Sequence, residues 1–211
     1  MIVQPDLRLI VITDPDLAEP RSIPDVVRAA LEAGAPAVQL RDKQATAREL
    51  VELARVLLPL ARAAHARLFI NDRLDVALAA GADGVHLGPD DLPLTAARRI
   101  APPPFLIGCS ADDPTEARRL ERDGASYIGC GAVFGTSTKE VGGERIGVER
   151  LDEVARAVDI PVVAIGGVNA GNVRDITRTH AAGIAVVSAI MAADDPRTAA
   201  GELLELLGRK G

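Results

Sequence analysis

Residues 31–40 read LEAGAPAVQL, residues 78–87 LAAGADGVHL and residues 121–130 ERDGASYIGC. In each, a segment with helical spacing passes through a Gly-Ala pair into a short apolar run. Glycine suits the left-handed residue that closes a helix, and a run of about four to eight apolar residues bounded by such a signal reads as a buried strand. Gly34, Gly81 and Gly124 are 47 and 43 residues apart, room for two strand–helix units each time. Before the last apolar run, in THAAGIAVVS, the corresponding place falls to His180.

Working outward, apolar runs recur at 7–13, 35–40, 68–70, 84–87, 105–109, 127–130, 162–165 and 184–187. Between them lie amphipathic segments such as Ala47, Leu50, Val51, Ala54, Leu57 and Leu58, whose spacing of three and four builds one apolar stripe. Strands that are apolar on both faces and alternate with helices predict a parallel sheet covered by helices. Eight units in 211 residues predict a single (β/α)8 TIM barrel spanning residues 1–211. The rival is an open doubly wound sheet, which often carries a glycine fingerprint after its first strand; here the first run ends in VITDPD.

Composition narrows the partners. The chain is 48% hydrophobic and 26% charged with a net charge of −6, so it lacks the basic excess with which general nucleic-acid binders neutralise phosphates. Only Phe69, Phe105, Tyr127 and Phe134 are aromatic, which leaves few platforms for base stacking. No window approaches the roughly 20 continuous apolar residues of a membrane helix. The expectation is a cytoplasmic protein acting on small molecules, with a homo-oligomer left open. Cys109 and Cys130 each sit at the end of an apolar run and are expected to be buried and reduced.

In a barrel, the residues that follow the strands gather at one rim, where such folds place their chemistry. Strand by strand these are Asp14; Gln39, Arg41 and Lys43; Asn71 and Asp72; His86 and Asp91; Ser110; Thr136, Thr138 and Lys139; Gly166 and Gly167; and Ser188. Of 24 basic residues only three are lysines, and the two that are not in the terminal tail, Lys43 and Lys139, both fall in rim loops. Two carboxylates beside three cations are either structural ion pairs or a site for Mg2+, which takes one or two carboxylates and fills its other positions with water and phosphate oxygens. The second reading suits a diphosphate, whose departure the cations and metal would assist by stabilising its growing charge.

Across the rim, IPVVAIGGVN and IAVVSAI end the seventh and eighth runs, where barrels often hold a ligand phosphate on backbone N–H groups. Gly166 and Gly167 are expected to let a phosphate approach the backbone, with Ser188 adding a hydroxyl. Two anion sites facing one mouth imply two phosphorylated substrates. The loop GTSTKEVGGERIG, residues 135–147, is a candidate lid. His65 is read as a helix-face residue, and His86 as lining the pocket or filling the barrel. Ser110 has no nearby base in sequence and is read as a binding hydroxyl.

The ordered set VQLRDK, INDRLDVALAAGADGVHLG, IGCS, GTSTK, VVAIGGV and VVSAI resembles thiamine phosphate synthase over nearly the whole chain. That resemblance implies a TIM barrel that joins hydroxymethylpyrimidine diphosphate to hydroxyethylthiazole phosphate, releasing pyrophosphate, with Mg2+ as cofactor. It implies that Gln39, Arg41, Lys43, Asn71, Ser110 and Lys139 hold the pyrimidine diphosphate, with Arg41, Lys43 and Lys139 as the catalytic cations. Asp72 and Asp91 would hold the metal. Thr136, Ser137 and Thr138 would lie beside the thiazole, whose phosphate would rest at Gly167, Val187 and Ser188. The sequence departs from the family at Pro89, often glutamine, at Ala132, usually proline, and in the glycine-rich loop after Lys139. Rival readings are a thiazole tautomerase-like or regulatory relative, a sugar-phosphate isomerase or epimerase, and a ligand sensor. The tautomerase carries histidine at the place of Ala132 and commonly lacks the acid equivalent to Asp91, and both differences favour the synthase.

Overall fold

The structure is a computed structural model that describes residues 5–135 and 145–208. Eight parallel strands, β1 (Leu9–Ile12), β2 (Ala37–Leu40), β3 (Arg67–Asn71), β4 (Gly84–Leu87), β5 (Leu106–Ser110), β6 (Tyr127–Cys130), β7 (Val162–Ile165) and β8 (Gly183–Val186), close in chain order into a barrel. The ring is sealed where Leu9 pairs with Ile184 and Val11 with Val186. The helices are α1 (Pro15–Ala18), α2 (Ile23–Glu32), α3 (Ala47–Ala63), α4 (Leu74–Ala80), α5 (Leu94–Ile100), α6 (Pro114–Arg122), α7 (Gly147–Ala157), α8 (Val173–Ile176), α9 (Ser188–Met191) and α10 (Pro196–Gly208). The open doubly wound sheet is excluded by this closure.

The Gly-Ala pairs do what their chemistry predicts. Gly34, Gly81 and Gly124 have φ of 98°, 71° and 101°. The amide of the following alanine reaches back five residues, Ala35 to Ala30, Ala82 to Ala77 and Ala125 to Leu120, which is the Schellman closure. One expectation is corrected. The fourth such cap is His65, with φ 55°, and Ala66 donates back to Ala61 at 2.8 Å. His65 is therefore the left-handed residue that ends α3, not a helix-face residue. His180 is not left-handed; Asp152 of α7 accepts from its backbone N–H at 2.8 Å and meets its Nδ1 at 2.9 Å. His180 lies beyond the end of α8, which closes at Thr177, and is held from a neighbouring helix instead.

Alternation along each strand divides the core in two. Val11, Val38, Leu40, Leu68, Ile70, Val85, Ile107, Cys109, Ile128 and Cys130 face outward and pack under the helices. Both cysteines are free and buried there, and burial pushes their thiols up to about 12. Ile10, Ile12, Ala37, Phe69, Tyr127, Val163 and Ala185 fill the barrel itself. Three inward-facing glycines make room for the large rings. A Cβ on Gly108 would lie 2.0 Å from Cζ of Tyr127, one on Gly84 2.8 Å from the Phe69 ring, and one on Gly129 2.9 Å from His86. Phe69 and Tyr127 then meet edge to face with centroids 5.4 Å apart, a contact worth about 1 kcal/mol beyond area burial.

Candidate active site

The same alternation aims polar side chains at the C-terminal mouth. Gln39 on β2, Asn71 on β3, His86 on β4 and Ser110 on β5 share the inward face with the residues that fill the barrel, and all lie toward the strand ends. Register keeps them together: Leu40 pairs with Ile70, and Asn71 with His86. Just past these ends the chain supplies Arg41, Lys43, Asp72 and Asp91.

Asp72 follows β3 with φ 64°, and its amide still donates to the His86 carbonyl at 2.8 Å. This last ladder bond holds the residue in the left-handed conformation that Asp tolerates better than most residues. Asp91 closes the turn after β4, its carboxylate accepting from the Gly88 amide at 2.7 Å. The two carboxyl groups lie within hydrogen-bonding reach of each other. Partial burial, followed by contact with Asp91, raises Asp72 to about 6, against the opposing pull of Lys43 and Arg41. Two half-buried acids in contact, flanked by cations, form an arrangement that a divalent cation would relieve. The donor set is the pair alone, since no cluster of three or more His, Cys, Asp or Glu forms among the described residues. It fits a cation that takes one or two carboxylates and completes its sphere with water and phosphate oxygens.

Arg41 is held in place from two sides. Its backbone N–H donates to the Thr13 hydroxyl at 2.8 Å, and that hydroxyl donates back to the Arg41 carbonyl at 2.9 Å. The guanidinium meets Asp14 at 3.4 Å, with both side chains mostly enclosed. Asp14 also caps α1 by accepting from Leu17, so an acid first noted only as a rim residue has two structural tasks. Lys43 is exposed at the same edge.

Inside the mouth the structure joins groups that sequence spacing left apart. His86 Nε2 lies 3.0 Å from the Ser110 hydroxyl, and Nδ1 lies 3.0 Å from the Tyr127 hydroxyl. Ser110 has no titratable partner near it in sequence, but the register of β4 with β5 brings the His86 imidazole to it. Gln39, 4% exposed, bonds through its side chain to Tyr127. Tyr127 and Thr13 join the site only through the fold, and their only signal in the sequence is polarity within an apolar run.

The opposite arc is built from backbone. Ile165 pairs with Ala185, so Gly167 and Val187 leave adjacent strands at one height. Gly166 and Gly167 also have a packing reason to be glycine. Their φ values are 95° and 67°, and added Cβ atoms would lie 2.6 Å from Cα of Ala132 and 2.1 Å from the Gly135 carbonyl. The close approach is already taken by the chain leaving β6. Backbone amides of Val133 and Phe134 donate to the carbonyls of Ile165 and Gly166, and the side-chain amides of Asn169 and Asn172 donate to that of Gly167. Ser188 is exposed at the start of the four-residue α9, after Val187. Thr136, Ser137, Thr138 and Lys139, with most of the proposed lid, lie outside the described residues.

A shallow groove of about 470 Å³ lies on the outer wall between α3 and α4, lined by Arg48, Val51, Arg55 and Asp75 among others. It opens between the helices that follow the rim loops of β2 and β3, and its charges are mixed. Among the described residues no helix is long and apolar enough to cross a membrane.

Comparison with known proteins bears on the family and the fold. A family model described as thiamine monophosphate synthase matches residues 9–190. A thiamine-phosphate synthase of Roseiflexus castenholzii is 46% identical over 200 residues, covering 95% of this chain and 88% of the relative. One from Pyrococcus furiosus is 47% identical over 203 residues, with 95% of each covered. The solved structure of a thiamine phosphate pyrophosphorylase from Pyrococcus furiosus superposes with a TM-score of 0.90 at 44% identity, covering 99% of this chain and 98% of that one. A 3-hexulose-6-phosphate synthase, at 18% identity and a TM-score of 0.68 over 95% of this chain and 99% of that one, shares the fold alone. With a barrel closed around paired acids, and with relatives this similar over nearly its whole length, the chain belongs to the thiamine monophosphate synthase family.

Proposed function

We propose that this chain joins hydroxymethylpyrimidine diphosphate to hydroxyethylthiazole phosphate, forming thiamine phosphate and pyrophosphate. The observation that carries the reading is the Asp72–Asp91 pair, half-buried at the mouth beside Arg41 and Lys43. Such an arrangement is costly without a ligand and complementary to a diphosphate with its cation. Mg2+ held by Asp72 and Asp91 would supply positive charge beside the phosphate oxygens.

The chain's own residues then act by position and charge. Arg41, braced by Thr13 and Asp14, Lys43 and Lys139 receive the diphosphate, with Gln39, Asn71 and Ser110 beneath it. The bond between the pyrimidine methylene carbon and its oxygen breaks, and its electron pair leaves with pyrophosphate. The thiazole nitrogen lone pair forms the new bond to that carbon, its ring beside Thr136, Ser137 and Thr138 and its phosphate at Gly167, Val187 and Ser188. No proton has to be removed by the protein and no protein nucleophile is needed. Cations that match the leaving group's developing charge suit this course.

Purified protein incubated with both substrates and Mg2+ is expected to release pyrophosphate and thiamine phosphate in equal amounts. If no thiamine phosphate forms even at high protein concentration, the reading is wrong. A sugar-phosphate isomerase would act on a single phosphorylated substrate without releasing pyrophosphate.

A further inference from the structure

The chain Gln39–Tyr127–His86–Ser110 crosses from β2 to β6, then to β4 and β5, through the interior of the barrel. Its members are not equivalent: Ser110 stands at the mouth, while Tyr127 is 1% exposed and lies deep against Gly108. A hydrogen-bonded chain of this kind has a direction, set by where each proton goes.

Burial pushes the Tyr127 ionisation far above its ordinary value, so the phenol keeps its single proton. The side-chain bond from Gln39 lowers the phenol's ionisation, the effect of an amide N–H donating to its oxygen. The phenol's own proton therefore goes to His86 Nδ1, 3.0 Å away. A neutral imidazole carries one N–H, and with Nδ1 accepting, that N–H is on Nε2 and faces Ser110 Oγ at 3.0 Å. Nδ1 protonation would set an N–H against the phenol proton. With its oxygen accepting from His86, the Ser110 hydroxyl turns its own proton toward the mouth.

We infer that Tyr127 and His86 are positioning residues: their chain, anchored at Gln39, fixes the Ser110 hydroxyl as a hydrogen-bond donor to the substrate. Reversal of the chain would leave Ser110 donating to His86 and only its lone pairs facing the mouth. The chain thus selects a substrate edge that accepts a hydrogen bond, as an unprotonated ring nitrogen of a pyrimidine does. This rests on the reading in which Ser110 meets the pyrimidine substrate.

Two measurements on the full chain test it. With three histidines in the sequence, ¹⁵N NMR of imidazole nitrogens resolves each ring. His86 is expected to show a protonated Nε2 and an acceptor Nδ1 without substrate, and Tyr127→Phe, which keeps the ring in the Gly108 notch, is expected to shift it toward the other tautomer. A protonated Nδ1 as the main form of the parent protein overturns the inference. In steady-state kinetics, Tyr127→Phe is expected to raise KM for the pyrimidine diphosphate about tenfold, the effect of one hydrogen bond, and to change KM for the thiazole phosphate less than twofold. In a Ser110→Ala background the same substitution is expected to add less than twofold. An equal penalty in both backgrounds makes the phenol merely structural and overturns the positioning role. If Ser110→Ala alone changes nothing, the contact between Ser110 and substrate is overturned, while the imidazole signals still decide the chain's direction.

Discussion

The two arcs of the barrel mouth hold their functional groups by different means. From β2 to β4 the chemistry is in side chains: Arg41, Lys43, Asp72 and Asp91 project from strand ends, and Asp72 and Asp91 oppose each other electrostatically. From β6 to β8 it is in the backbone, where Gly166 and Gly167 are left-handed and crowded by Ala132 and Gly135. The acid arc carries a cost that a ligand can repay, so it is free to change without loss of fold. The glycine arc is part of the packing, and there function and stability are lost together.

Asp72→Asn gives the sharpest test of this difference. Asparagine tolerates the left-handed backbone, so the variant should fold with an unchanged or higher melting temperature while turnover falls by about 10² or more, the scale of losing one key electrostatic group. Full activity in that variant would dismiss the acid pair as the site. Gly167→Ala should do the reverse and lower unfolding free energy by roughly 2–4 kcal/mol, because it adds overpacking to left-handed strain. Gly81→Ala is its control: φ is also positive, at 71°, but an added Cβ would meet nothing within 4 Å. A cost of only about 1 kcal/mol is expected there, measurable by denaturant titration. Equal losses at the two glycines would show that crowding by Gly135 is not the reason for Gly167.

Lys43→Ala, at an exposed position, is expected to raise KM for the diphosphate substrate about tenfold with no change in melting temperature. The smallest effect concerns pH. Asp72 is near 6 in the folded chain against 3.8 for the unperturbed carboxyl, so the folded state binds that proton more tightly. Its contribution to stability is complete below 3.8 and is lost as pH rises through 6. Thermal melts of the metal-free protein should show this decline, and Mg2+ or Asp72→Asn should flatten it. A slope that survives in Asp72→Asn would place its origin elsewhere.

Much of the fold was legible in local pattern. The bounds of β4, β6 and β7 coincide with the apolar runs read from sequence, and Gly34, Gly81 and Gly124 are left-handed as their positions required. The fourth cap was misplaced because Gly34, Gly81 and Gly124 precede every second run, which pointed to His180-Ala181 before the eighth, whereas the left-handed residue precedes the third. In AHARLF the pair is His65-Ala66, and it is Ala66, 5% exposed, whose amide makes the back-bond to Ala61. The acids after β3 and β4 stood out because carboxylates within a few residues of buried strands are conspicuous. The partner of Ser110 did not, since His86 is 24 residues away and meets it only through strand register.

The sequence alone determined the strand–helix alternation, the parallel sheet and the acids and cations at the strand ends, because side-chain periodicity and backbone φ preference are properties of neighbouring residues. Tertiary structure decided that Asp72 touches Asp91, that Tyr127 directs His86 toward Ser110, and that Gly167 has no room for a side chain. Those outcomes depend on closure and register, which bring together residues tens of positions apart, and no local preference encodes the distance between them.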